Sequence, residues 1–244
     1  CLSLLLKSGA KVRAPLGNGR KAIHLAAEQG HEACGAALLE AGASVDCTCR
    51  HGYTALQLAT TNGHTGCVRL LLEAGASVDS TCFGSGFAAL LRAAQHGHSE
   101  CVSLLLKAGA NVDAAASTSG KTALYLACEV CSEACVSLLL AGGADVEATA
   151  TKHRWTPLYT AAFHGHAGCV SALLKAGAKV DTPSADGRTP LTAAGDGGHT
   201  DCAHQLVHAG ATPTRPKKAT PTRAKKATPT RAKQATVARA NKAT

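Results

Sequence analysis

Apolar residues along the chain are concentrated in short segments that return at a regular interval. Segments such as Cys67-Val68 and Leu70-Leu71 are separated by polar and glycine-rich stretches. The run Leu104-Leu105-Leu106 would be apolar on more than one side of a helix, which is typical of a helix packed between neighbours. The pattern therefore predicts thin helices that are buried against one another.

The interval is visible in the glycines. Gly-Ala pairs recur at a nearly constant spacing, at Gly9, Gly42, Gly75, Gly109, Gly143, Gly177 and Gly210. A Gly-His pair, replaced once by Cys131-Ser132, precedes each later Gly-Ala at a fixed distance, and a further glycine, replaced once by Arg154, lies at a fixed distance before that pair. Only the remaining stretch varies in length, by a single position. The two constant segments are predicted to be helices, because one added residue rotates every later side chain by about 100°. The variable segment is predicted to be a loop, which accommodates an extra residue at little cost.

Residues at the segment boundaries support this division. Thr54, Thr122 and Thr156 precede the first helix of their units, as does Thr189 in the last unit, and threonine is a favoured N-cap. Proline follows two of them, at the first helical position where it is best tolerated. The glycine of Gly-His is expected to end this helix in a left-handed turn. Each unit is thus predicted to be a helix, a tight turn, a second helix and a loop.

The combined pattern Gly-x-Thr-Pro-Leu-x-x-Ala-Ala-x-x-Gly-His, followed by x-x-Cys-Val-x-x-Leu-Leu-x-x-Gly-Ala, resembles the ankyrin repeat family. The resemblance implies an all-α ankyrin-repeat α-solenoid. Residues 1–14 would be the second half of a truncated repeat, and 15–211 six repeats at about 15–47, 48–80, 81–114, 115–148, 149–181 and 182–211. Residues 212–244 form a low-complexity basic octapeptide tail, which lacks the apolar residues needed for a core and is expected to be disordered. Because the chain has no Met and begins with half a unit, we expect further sequence upstream.

Composition and charge agree with this organisation. Apolar residues make up 45% and aromatic residues 3%, so the interior must consist of Leu, Val, Ala and Cys. Ten of the 25 Lys and Arg residues lie from residue 212 onward, where there is no acidic residue; the first 211 residues thus have 15 basic and 16 acidic residues, a net charge of −1. No signal peptide or membrane span is predicted, because no apolar stretch approaches the length that a bilayer crossing requires.

Twelve cysteines raise the question of disulfides or zinc. Seven share one repeat position: Cys1, Cys34, Cys67, Cys101, Cys135, Cys169 and Cys202. Stacked helices lie roughly 8–10 Å apart, too far for a disulfide between equivalent positions, so these thiols are interpreted as buried hydrophobes of a reducing compartment, cytoplasmic or nuclear. Only one Cys-x-x-Cys motif exists, at Cys128 and Cys131, whereas a zinc site usually needs two. We predict no metal site and no cofactor.

The twelve histidines do not indicate a catalytic site once they are assigned to repeat positions. Five belong to Gly-His pairs and, by the resemblance, hydrogen-bond neighbouring loop backbone. His204 and His208 lack the glutamate that a zinc protease helix requires, and no nucleophile elbow or phosphate-binding loop is found. The chain is therefore predicted not to be an enzyme.

The residue between the loop glycine and the capping residue differs from unit to unit and indicates where a partner could bind. It is occupied by Arg20, Tyr53, Phe87, Lys121, Trp155 and Arg188. In the ankyrin family this position lies on the concave side and often contacts partners, and exposed aromatic residues and Arg are typical interface anchors. Together with neighbouring variable positions, the predicted partner-binding residues also include His51, His96, His153, Phe163 and His164. The alternative is that Tyr53 and Phe87 pack only against adjacent loops.

The resulting hypothesis is a monomeric, non-enzymatic scaffold that binds a partner protein. A second hypothesis is a chromatin- or RNA-associated factor whose tail binds nucleic acid or an acidic surface. It would use the basic residues Arg215, Lys217, Lys218, Arg223, Lys225, Lys226, Arg231 and Lys233. Against it, the tail has no aromatic residue for base stacking and resembles a simple repeat expansion. A third hypothesis makes the chain the ankyrin segment of a larger multidomain protein.

Overall fold

The computed structural model describes residues 9–82 and 86–212, and all its regular secondary structure within those ranges is α-helical. Two helices fall within each of the six repeat ranges given above. They are α1 Ala22–Glu28, α2 Glu32–Glu40, α3 Ala55–Thr61, α4 Thr65–Glu73, α5 Ala89–Gln95, α6 Ser99–Lys107, α7 Ala123–Glu129, α8 Glu133–Ala141, α9 Pro157–His164, α10 Ala167–Lys175, α11 Pro190–Asp196 and α12 Thr200–His208.

The helices form two layers. Each odd-numbered helix packs against the next odd-numbered helix, each even-numbered helix against the next even-numbered one, and the two helices of a unit against each other. One hydrophobic core runs through all six units, from Ile23 in α1 to Leu206 in α12. The predicted all-α solenoid is confirmed. The tail predicted to be disordered lies outside the described residues from residue 213 onward.

Side-chain caps begin the first helices where threonine is present. The hydroxyl of Thr54 accepts the backbone N–H of Gln57, and Thr122, Thr156 and Thr189 make the equivalent bond in their units. Pro157 and Pro190 occupy the first helical position, as predicted. The predicted N-caps are confirmed.

Glycines allow the tight turns, and two residues take the same conformation without being glycine. In the described residues the non-glycine positions with positive φ are Cys131, at 60°, and Arg154, at 51°. Both replace a glycine of the repeat pattern. The backbone of the unit is therefore retained even where a side chain makes a left-handed conformation costly, by roughly 1–2 kcal/mol.

Two kinds of hydrogen bond join neighbouring units. The imidazole Nε2 of His64 lies 2.9 Å from the carbonyl oxygen of Glu28, at the end of α1, and equivalent contacts recur for His98, His166 and His199. The resemblance implied loop backbone as the partner of these histidines, whereas the structure shows the last residues of the preceding first helix. Helix C-termini have carbonyl groups without intrahelical donors, which explains this choice.

Acidic side chains make the second kind of bond. Asp113 Oδ1 accepts the backbone N–H of Asp145 at 2.8 Å, one unit further on. The residues at the same loop position in other units do likewise: Asp46, Asp79, Glu147 and Asp181. These bonds help to fix the spacing of the loops along the array.

The repeated cysteines are free thiols within the described residues. Cys67, Cys101, Cys135, Cys169 and Cys202 are buried, and Cys34 in the first complete unit is partly exposed. Their interpretation as buried hydrophobes is confirmed for the five buried residues; Cys1 lies outside the described residues. Among the described helices, none has both the length and the apolar character that a bilayer crossing requires.

Candidate functional site

The variable position before each first helix places one side chain per unit along the same side of the array. Each such residue directly precedes an N-cap residue, so that successive units present it in register. All six are half-buried: Arg20, Tyr53, Phe87, Lys121, Trp155 and Arg188. We call the surface formed by these residues and the first helices the inner face.

The three cations at the variable position have intramolecular partners. Arg20 Nη1 lies 2.6 Å from Glu28 Oε2, and Lys121 Nζ lies 2.8 Å from Glu129 Oε2. Arg188 pairs with Asp196 in the same way. In each case the acid lies at the end of the first helix of the same unit. Each of these three positive charges is thus compensated by a neighbouring acid, a feature that the sequence analysis did not anticipate.

Tyr53 and Phe87 both contact a third side chain, Arg92 of α5. The guanidinium carbon of Arg92 lies 5.2 Å from the ring centroid of Tyr53 and 4.9 Å from that of Phe87. Arg92 also donates from Nη2 to the Tyr53 hydroxyl at 3.3 Å. These distances fit cation–π contacts. The two aromatic residues thus pack within the array, and Arg92 is a residue of the inner face that sequence reasoning missed.

Trp155 stands at the centre of a different arrangement, which we call the aromatic cluster: His153, Trp155, Tyr159, Phe163 and His164. The Trp155 ring centroid lies 4.9 Å from that of Tyr159, 5.0 Å from that of Phe163 and 5.5 Å from that of His153. His164 meets Phe163 edge to face at 5.1 Å. The structure therefore brings together four predicted site residues and adds Tyr159.

The cluster is anchored on one side and open on the other. Tyr159 is 1% exposed, whereas Phe163 is 38% exposed and Trp155 is half-buried. Tyr159 and Phe163 are four residues apart in α9 and therefore share a helix face, and Trp155 directly precedes the N-cap of that helix. The spacing of four was the sequence signal for Tyr159. The buried Tyr159 thus contacts two rings that leave apolar surface open to solvent.

Histidine side chains border the aromatic residues. The His164 ring stacks on that of His166 at 5.7 Å, and His96 stacks on His98 at 5.9 Å. Partial burial, followed by the neighbouring imidazole, lowers the pKa of both His164 and His96. The imidazoles of His164 and His96 are therefore mainly neutral at pH 7. His51 is exposed in a turn between two units.

The remaining predictions concern metal binding and nucleic-acid binding. Within 9–82 and 86–212, no group of three or more His, Cys, Asp or Glu side chains is arranged to hold a metal ion. The basic tail residues proposed for nucleic acid lie beyond residue 212 and so outside the described part of the chain.

Comparisons with known proteins agree with this architecture. The family model described as "Ankyrin repeats (3 copies)" matches residues 1–82, 79–150 and 147–217. The ankyrin repeat domain of human ASB11 is similar in structure, with a TM-score of 0.74 and 31% sequence identity over 86% of this chain and 92% of that domain. The ankyrin repeat domain of Bcl-3, a member of the IkappaB protein family, has a TM-score of 0.72 and 28% identity over 84% of this chain and 90% of that domain. No curated protein matches the sequence. The chain belongs to the ankyrin repeat family, whose domains generally mediate protein–protein interaction.

Proposed function

We propose that this chain is a non-enzymatic interaction scaffold that binds a partner protein through its inner face, with the aromatic cluster as the main anchor. The observation that supports this most directly is the exposed edge of the cluster. Phe163 is 38% exposed and Trp155 is partly exposed, whereas Tyr159 is buried. Tryptophan and tyrosine are enriched among the residues that contribute most binding energy to protein interfaces.

The paired charges at the variable position favour a partner whose binding does not require unpaired lysine or arginine residues there. Arg20, Lys121 and Arg188 each have an acidic neighbour, so the inner face offers paired charges on either side of the aromatic cluster. Apolar contact to the cluster then supplies affinity, and the ion pairs supply polar contacts at the rim. Such an arrangement follows the usual division of an interface into an apolar centre and a polar surround.

The test compares the intact chain with a variant of the cluster. Trp155→Ala combined with Phe163→Ala should lower affinity for a captured partner about 30-fold or more, since hot-spot truncation costs roughly 2 kcal/mol or more. Partners are first identified by affinity capture and mass spectrometry, and their dissociation constants are then measured with purified proteins.

Arg69→Ala is the matched control, because Arg69 is an exposed residue of α4 in the other helix layer. This variant should bind as the wild type does, and all variants should keep their helical circular dichroism. Full affinity in the double variant, or equal loss in Arg69→Ala, would refute the proposed surface. Deletion of residues 213–244 tests the alternative nucleic-acid role: loss of DNA or RNA retention on deletion supports that role, and unchanged retention excludes it.

A further inference from the structure

Arg92, the fourth residue of α5, is a cation at a position where the other first helices are uncharged. The equivalent residues of α1, α3, α7, α9 and α11 are Leu25, Leu58, Leu126, Thr160 and Ala193. Arg92 is half-buried, and its guanidinium contacts the rings of Tyr53 and Phe87. The fold does not require a charge here, because leucine occupies the same position in three other units.

The charge of Arg92 has no acidic partner in this chain. All 16 Asp and Glu residues lie in the part of the chain that the structure describes, and the ion pairs found there join other residues. The acids that compensate the cations at the variable position lie at the end of the first helix of their units, at Glu28, Glu129 and Asp196. The corresponding residues of α3 and α5 are Thr61 and Gln95, which carry no charge. The inner face of these two units therefore has a positive charge that the chain itself does not compensate.

The hydrogen-bonding capacity of Arg92 is also incompletely used. Among the described residues, its Nη2 donates to the Tyr53 hydroxyl at 3.3 Å and to the Cys82 sulfur at 3.4 Å. Sulfur is a weak acceptor, and the Nε–H of Arg92 is buried without a hydrogen-bond partner. A guanidinium has five N–H donors, and a partly buried cation is favourable only when it is paired and hydrogen-bonded.

We propose that Arg92 binds the carboxylate of an aspartate or glutamate side chain of the partner protein, beside the rings of Tyr53 and Phe87. This inference rests on the proposed function, because it specifies the chemistry of a partner that binds the inner face. The planar guanidinium matches the two oxygens of a carboxylate, and charge-assisted hydrogen bonds of this kind are about twice as strong as neutral ones. Contact with two aromatic rings restricts the arginine side chain before binding, so less conformational entropy is lost when the carboxylate arrives.

The surroundings of Arg92 favour a carboxylate over a phosphate group. Partial burial lowers the pKa of His96, four residues further along the chain, so at pH 7 this imidazole adds little positive charge. Lys121, at the variable position of the next unit, is already paired with Glu129. One guanidinium suits a singly charged carboxylate, whereas phosphorylated motifs are usually bound by clusters of arginine residues.

The experiment uses a phage-displayed library of random twelve-residue peptides as the probe. The library is selected in parallel on the purified full chain and on Arg92→Leu, a variant that carries the residue found in three other units. Peptides recovered on the full chain should share an Asp or Glu position that is not enriched among those recovered on Arg92→Leu. Equal acid content in the two pools, or the absence of any recovered peptide that requires Arg92, would overturn the proposal.

A double-mutant cycle then tests direct pairing. Replacing the shared acid of one recovered peptide by its amide should raise the Kd for the full chain about 10- to 100-fold, as expected for hydrogen bonds to a charged group. The same replacement should change the Kd for Arg92→Leu less than about twofold, because the partner of the acid is already missing. Arg69→Leu, which alters an exposed arginine of α4, is the matched control and should bind the acidic peptide as the wild type does. Equal losses on the full chain and on Arg92→Leu would show that the acid binds elsewhere. Circular dichroism checks that each variant is folded.

The variant Trp155→Ala with Phe163→Ala separates this inference from the proposed function. If binding requires the aromatic cluster but not Arg92, the proposed function stands and the carboxylate site is wrong. If binding requires Arg92 but not the cluster, the carboxylate site stands and the cluster is not the main anchor. Binding that requires neither would refute both.

Discussion

Nε2 of His166 lies 3.4 Å from the carbonyl oxygen of Glu129, the longest of four equivalent contacts in the described part of the array. The other three measure between 2.9 and 3.1 Å. They cross a glycine, whereas this one crosses Cys131. A Cβ placed on the equivalent Gly30 would lie only 2.6 Å from Nδ1 of His64, so a side chain at this position crowds the imidazole. The long contact follows from the presence of Cys131.

Cys131→Gly is expected to stabilise the fold. Cys131 adopts a φ of 60°, which glycine accepts without strain, and removing the side chain lets His166 approach Glu129. These gains of about 1–2 kcal/mol are offset in part by the greater freedom of glycine in the unfolded chain, so the free energy of unfolding should rise by about 0.5–1 kcal/mol. Urea denaturation measures it. Cys131→Ser, which keeps a side chain, should change stability little; an equal gain in that variant would contradict the explanation.

Ser132→His should restore a hydrogen bond that one joint lacks. In the other units histidine at this position reaches back to the end of the preceding first helix, which here is Gln95. Space is available, because a Cβ on Gly97 would lie 3.6 Å from the Ser132 side chain. The added bond should increase the free energy of unfolding by about 0.5–1.5 kcal/mol. Ser132→Ala serves as the control, and no difference between the two variants would show that the bond does not form.

The sequence predicted the repeat architecture because the spacing of glycines and capping residues is local and periodic. Thr156 and Pro157, for example, identify the start of α9 without any knowledge of neighbouring units. The contacts that shape the inner face arise between units. Arg92 meets Tyr53 from a different unit, 39 residues away, and no periodic signal in the sequence marks that pairing.

The thiols illustrate the same limit. Comparing cysteines at equivalent positions predicted that these would not form disulfides, and the six that lie within the described residues are free thiols. It did not indicate which residues of adjacent units meet: Ala27 and Cys67, at different repeat positions of neighbouring units, line one small cavity. Such contacts depend on how one unit stacks on the next.

His24 should make stability depend on pH. Its side chain is 0% exposed; Nδ1 accepts the backbone N–H of Lys21, and Nε2–H donates to the carbonyl of Cys47 at 3.0 Å. Burial lowers the pKa of His24 below its usual value of 6.5. The unfolded chain therefore binds the proton more readily, so this contribution to stability is complete above about pH 6.5 and is lost as the pH falls through the lower folded pKa. Urea denaturation between pH 8 and pH 5 measures the decline.

His24→Gln tests the origin of that decline. Gln57 occupies the equivalent position in the next unit, where Nε2 donates to the Ser80 carbonyl at 2.6 Å and Oε1 accepts the Thr54 N–H. Glutamine can thus replace both hydrogen bonds and does not titrate. The variant should lose less stability than the wild type between pH 7 and pH 5. The exposed His208→Gln should leave the slope unchanged, and an unaltered slope in His24→Gln would assign the pH dependence to other groups.

The acidic residues of the loops should stabilise the array through their acceptor oxygens rather than through their charge. Asp113 accepts the backbone N–H of Asp145 at 2.8 Å, and no cation is paired with it among the ion pairs of the described residues. Asp113→Ala removes the acceptor and should lower the free energy of unfolding by about 1 kcal/mol. Asp113→Asn keeps an oxygen at the same place and should lose less than half of that. The exposed Glu73→Ala at the end of α4 should have little effect. If the alanine and asparagine variants of Asp113 lost equal stability in urea denaturation, charge and not the hydrogen bond would be the stabilising feature, and the spacing of the loops would need another cause.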